Sequence, residues 1–159
     1  MRLATICKLV LTVIIEVAIP AAVTADDEAA GAKLHEYFAA FNEKDVDRIA
    51  NQIYATPVQI GGGNGHRIYA DPTDAIDNLN RLYEQIEAQG WVASRIENLE
   101  ICVVSKSVAL VDTRYSRFDG DGEPIAPAIR TTLYVLQKIN DSWRIVAFYG
   151  HDSDRRPTC

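Results

Sequence analysis

"IRTTLYVLQKINDSWRIVAFYGH", residues 129–151, sets two runs of β-branched and aromatic residues on either side of a short polar turn. Side chains alternate between the two faces of a strand. Arg130, Thr132, Tyr134 and Leu136 therefore share one side of the first run, and Ile145, Ala147, Tyr149 and His151 share one side of the second. Asn140-Asp141-Ser142 supplies the connection, so the pair reads as a hairpin. Upstream, "WVASRIENLEICVV" (91–104) and "SVALVDTRYSRF" (107–118) have the same extended character, and "DGDG" (119–122) is a further turn. Four such runs in succession predict an antiparallel meander.

Before Trp91 the period changes. "AAGAKLHEYFAAFNEKD" (29–45) repeats Leu34, Tyr37, Phe38 and Phe41 on one helical face, and Asp45 then caps a shorter helix carrying Val46, Ile49, Ala50 and Ile53. "ADPTDAIDNLNRLYEQIEAQG" (70–90) is the clearest helix: Asp71 at the N-cap, Pro72 in the first turn, Asp74 completing the capping pair and Gly90 closing the end. Its apolar side is Ile76, Leu79, Leu82, Tyr83 and Ile86. Helices followed mainly by one long sheet give an α+β plan, in which a curved antiparallel sheet wraps the N-terminal helices with one face.

Residues 1–25 read as a secretory leader, with Arg2 and Lys8 ahead of an apolar run from Leu9 to Ile19 and small residues at Val23 and Ala25. Glu16 interrupts that run, which argues against a stable membrane anchor. The remaining residues, 26–159, suffice for a single domain, secreted or periplasmic after cleavage. The whole chain carries a formal −6; the leader holds Arg2, Lys8 and Glu16, a net +1, so the remainder stands at −7. That balance, with no run of Lys or Arg, excludes nucleic acid as the expected partner. A buried, inert Cys102 is expected, with a Cys102–Cys159 bridge as the alternative in an oxidising compartment.

"QIGGGNGHRIYADP" (59–72) invites a phosphate-binding reading, which fails on spacing. From Gly61 or Gly63 the sixth position of a dinucleotide fingerprint is His66 or Ile68, and His66-Arg67 does not supply the Lys-Ser/Thr of a P-loop. A hairpin or bulge at the rim of a pocket is expected instead, with His66 and Arg67 within reach of a ligand. "DGDGEP" lacks a calcium loop's last ligand, since the twelfth position from Asp119 is Arg130. His35, His66 and His151 are scattered without metal-ligand spacing, so neither a metal nor a cofactor is expected.

"EYFAAFNEKDVDRI" (36–49), a Pro57-bounded strand, the capped helix and the closing "WRIVAFYGH" (143–151) together resemble the SnoaL-like, ketosteroid-isomerase-type proteins of the nuclear transport factor two-like superfamily. The resemblance spans nearly all of 26–159. It implies a cone with a pocket between curved sheet and helices, and a homodimer formed across the sheet. It also exposes departures. Where ketosteroid isomerases carry a catalytic aspartate after the first strand, this chain has Gln59, Ile60, Gly61 and Gly62, and Tyr134 stands near the position of their oxyanion-hole acid. Tyr37 matches the helix-one tyrosine that donates to the oxyanion. If the family sets the register, His151, Tyr37, Tyr134 and Arg130 surround one cavity. His151 and Tyr37 are then the candidate catalytic pair, and Tyr134, Arg130, His66 and Tyr149 the candidate ligand-binding residues. The expected function is an exported protein that binds a small hydrophobic or amphipathic molecule. The alternative is a cofactor-independent isomerase, cyclase or dehydratase with a histidine replacing the missing carboxylate.

Overall fold

The computed structural model describes residues 25–63, 65–155 and 157. The leader expected over residues 1–25 therefore lies outside the described residues, except for Ala25, which opens α1 (Ala25–Asn42). Asp26, Asp27 and Glu28 occupy the first turn of α1, where carboxylates complement the helix dipole. The face expected from the spacing is buried: Leu34 fully, with Tyr37, Phe38 and Phe41 nearly so. Asp45 accepts from the Arg48 amide at 3.0 Å and caps α2 (Val46–Arg48). The helix does not continue as α. It widens into a π-helical turn over Ile49–Ile53, which still buries Ile49, Ala50 and Ile53.

The glycine stretch is a hairpin. β1 (Tyr54–Gly62) and β2 (Gly65–Tyr69) pair antiparallel, with Gly62 opposite Gly65, and both glycines hold positive φ. α3 (Pro72–Glu87) starts as the sequence indicates: Asp71 accepts from the Asp74 amide at 2.9 Å, while the Asp74 carboxylate accepts from the Ala70 amide at 2.9 Å. The meander follows as β3 (Ala93–Ser105), β4 (Val108–Phe118), β5 (Arg130–Ile139) and β6 (Ser142–His151). Asn140 and Asp141 have φ of 49° and 60°, the two consecutive positive values of a type I′ turn.

All six strands form one curved, unclosed sheet in the order β2-β1-β6-β5-β4-β3. It departs from the expected all-antiparallel ladder at one seam, where β1 runs parallel to β6. These two strands come from opposite ends of the chain, so no tight turn dictates their sense. A second departure lies within the C-terminal hairpin. Val135 pairs with Ala147 and Leu136 with Ile145, which leaves Val146 as an extra residue on β6. Such a bulge shifts the alternation of everything beyond it.

Cys102 is disulfide-bonded, not an inert thiol. Cys7 and Cys159 both lie outside the described residues. Among the described residues, no helix is long and apolar enough to cross a membrane.

The α3 face divides into two uses. Leu79, Tyr83 and Ile86 are buried in the core, Leu79 also forming part of the wall of the cavity described below, whereas Leu82 is half-buried on that cavity's wall. Leu79→Ala is accordingly expected to destabilise by about 2–5 kcal/mol, and Leu82→Ala by clearly less, because its cavity face forfeits few packed neighbours. Urea unfolding of both variants checks this; equal losses would place both side chains in the same environment.

Candidate functional site

The sheet's concave face and the helices enclose a cavity of about 340 Å³. Three layers of side chains build it. Phe38 and Phe41 of α1, Leu79 of α3, and Ile60 and Phe148 of the sheet supply apolar wall. Five phenols add a polar layer: Tyr37, Tyr54, Tyr69, Tyr115 and Tyr134. Tyr37 is their hub, with its ring centroid 5.9 Å from that of Tyr54 and 5.7 Å from that of Tyr134. The Tyr54 hydroxyl donates to the Tyr37 hydroxyl at 3.4 Å. Burial, ahead of any other influence, raises the pKa of Tyr37, Tyr54 and Tyr134 well above the ordinary phenol value, so these groups stay protonated. The third layer is cationic: Arg67 from β2, Arg81 from α3 and Arg117 from β4. No aspartate, glutamate or histidine is found among the described lining residues.

The sequence-based site residues separate in this geometry. Tyr37 and Tyr134 line the cavity together. His151 and Tyr149 do not join them. The bulge at Val146 turns Phe148 and Gly150 inward and leaves Tyr149 and His151 on the sheet's outer face, so the alternation read across 145–151 holds only as far as the bulge. There the Tyr149 ring crosses Gly61, where an added Cβ would come within 2.4 Å of Tyr149 Cδ1, and its hydroxyl donates to Gln59 Oε1 at 3.1 Å. His151 Nε2 lies 2.8 Å from Oδ1 of the buried Asp112, and its Nδ1 lies 3.0 Å from the Asp152 carbonyl. Arg130 is also elsewhere. Its guanidinium donates to the carbonyls of Ile125, Ala126 and Pro127 at 3.0, 2.9 and 2.7 Å and so holds the β4–β5 connection in place. His66 is exposed on β2, whereas its neighbour Arg67 lines the cavity.

Sequence reasoning missed Tyr115 and Arg117, although their signal was available. Val111, Thr113, Tyr115 and Arg117 alternate along β4, and the first two are fully buried, which marks that side as the inner one. Tyr54 and Tyr69 carried no comparable signal, because the strands bearing them are short and interrupted by Pro57 and the glycines. Among the described residues no group of three or more His, Cys, Asp or Glu is placed to hold a metal ion.

Three solved structures with this architecture illustrate its range. An NTF2-like protein of unknown function from Shewanella oneidensis MR-1 is similar at 18% identity, with a TM-score of 0.61, over 80% of this chain and 98% of its own. A ketosteroid isomerase-like protein from Erwinia carotovora atroseptica is similar at 18% identity, with a TM-score of 0.59, over 79% and 95% of the two chains. The hexachlorocyclohexane dehydrochlorinase LinA-type3 from Novosphingobium barchaimii LL02 is similar at 16% identity, with a TM-score of 0.57, over 80% and 86%. Identities this low speak to the fold alone. None of the curated proteins matches the sequence. Residues 26–153 match the family described as NTF2-like protein (DUF6841), and the chain belongs to that family.

Proposed function

We propose that this protein is an exported binding protein that takes a small, partly apolar or amphipathic molecule into the cavity between sheet and helices. The observation that carries this reading is the lining: aromatic walls and protonated phenols, with no carboxylate or imidazole among the described lining residues to act as a general base. Its volume falls within the range of roughly 300–1,000 Å³ typical of small-molecule pockets. An isomerase, cyclase or dehydratase working through a pocket histidine is disfavoured, because His151 is engaged with Asp112 on the other face of the sheet. Export is supported by the basic and apolar pattern of residues 1–25 and by the disulfide at Cys102, a bond that persists in oxidising compartments. The outer face, where Pro57, Gln59, Val135, Val146 and Tyr149 form a shallow groove, offers the surface for a homodimer.

Native mass spectrometry of the exported protein tests the binding reading. The wild type and His151→Ala should each retain one small molecule per chain, and Leu82→Trp, which fills the cavity, should retain none. Loss of the molecule in His151→Ala, or its survival in Leu82→Trp, would place the binding site elsewhere.

The buried phenols also fix the sign of a pH effect. A group whose pKa is raised on folding stabilises the native state fully below its unfolded value, near 10 for tyrosine, and that contribution is lost as pH rises through the folded value. Tyrosinate absorbance should therefore show Tyr37, Tyr54 and Tyr134 ionising only alongside cooperative alkaline unfolding. A single transition near the ordinary phenol value with the fold intact would contradict this assignment.

A further inference from the structure

Cations elsewhere in the described chain are largely matched. Lys33 and Arg48 both meet Glu36, Lys138 meets Asp26, and Lys44 meets Glu87. Arg144 and Arg130 spend their guanidinium protons on backbone carbonyls, and Arg95 lies over the Phe118 ring. The three arginines of the cavity are different. Arg67, Arg81 and Arg117 line a space that contains no described carboxylate, and none of their side chains has an ion pair or hydrogen bond to another described residue. Arg117 is the most telling, because its Nε is fully buried and without an acceptor. A guanidinium offers its protons in a planar fork suited to a carboxylate, and a buried N–H without an acceptor is destabilising. Three like charges facing one cavity in a chain of formal net charge −6 form a local inversion of the protein's overall sign.

The surroundings of Arg117 point the same way. Tyr115 lines the same side of β4, two residues earlier, and Thr132 and Tyr134 follow on β5. The positive charge of Arg117 is felt at Tyr37 and Tyr134, where it opposes the dominant effect of burial, and it contributes after burial to depressing the pKa of Arg130. Its charge thus acts on Tyr37 and Tyr134 with no carboxylate among the described lining residues. The neutral phenols add O–H donors, so several hydrogens are available to one oxyanion, while Phe38, Phe41 and Phe148 accommodate an apolar body.

We propose that the cavity's ligand is an organic anion with an apolar, aromatic-sized body, whose carboxylate-like group is held by the fork of Arg117, with Arg67 and Arg81 as the cationic rim through which it enters. This rests on the binding reading above and specifies its ligand class.

The test uses benzoate, cinnamate and phenylbutyrate, each paired with its own methyl ester, titrated calorimetrically into the wild type, Arg117→Met and Arg117→Lys. At least one acid should bind the wild type at one site per chain, more tightly than its ester by on the order of tenfold. Arg117→Met should erase that preference while leaving ester affinity within about twofold, and Arg117→Lys should restore part of it. Retained ester binding shows in the same titration that the variant cavity is intact. Acid and ester binding equally well to the wild type, or Arg117→Met weakening both alike, would overturn the anion assignment and leave the cavity reading standing. Failure of every acid and every ester to bind the wild type would remove the cavity reading, and this inference with it.

Discussion

The fit of α1's aromatic face into the concave side of the sheet is the contact on which the rest depends. An open sheet has one face to bury, and a helix presenting Leu34, Tyr37, Phe38 and Phe41 covers it with large, stiff side chains. The helix is held at both ends. Asn42 donates to the Ser94 carbonyl at 2.9 Å and accepts from the Ser94 amide at 2.8 Å, which docks its C-terminus on β3. Lys138 of β5 reaches Asp26 at 2.7 Å near its start, although a partly exposed pair of this kind contributes little by itself. With α1 fixed, Tyr37 becomes the centre about which the phenols arrange themselves, and the cavity is the space that α1, α3 and the sheet leave between them.

The charge distribution follows from the same division of labour. Acidic residues populate the outside, as in the first turn of α1, whereas the inner surface draws its polarity from phenols and guanidiniums. Neutral phenols tolerate burial because they keep their protons. Arginine tolerates it in part because its charge is delocalised and weakly hydrated. A buried carboxylate would require a partner, and the described lining holds no such acid.

How much of this was legible in the sequence depended on whether the deciding interaction was local. The α1 face, the Asp45 and Asp71 caps and the Asn140-Asp141 turn were all readable, because periodicity and capping act within a few residues. The antiparallel meander was readable for the same reason. The parallel β1–β6 seam was not, since nothing near Tyr54 in the chain names a partner as far along it as Ile145. Arg130 looked like a ligand anchor by parity, yet its guanidinium is taken up by three carbonyls of the connection just before β5, which a strand pattern does not show. Arg117 was passed over although it stands on the same alternation as the fully buried Val111 and Thr113.

The extra residue at Val146 gives β6 something like a choice of reading frame. In the frame it uses, Phe148 and Gly150 face the cavity, and Tyr149 and His151 stay outside with Gln59 and Asp112. If Val146 instead took a ladder position and the bulge closed, alternation would run unbroken from Ile145, carrying a phenol and an imidazole inward in place of a phenyl ring and a glycine. The cavity would acquire a titratable base without a substitution at any position that lines it today. In this architecture, then, strand register is itself a variable of chemistry. Two chains aligned residue for residue through this hairpin would differ in what they offer a ligand if only one of them bulged before Ala147.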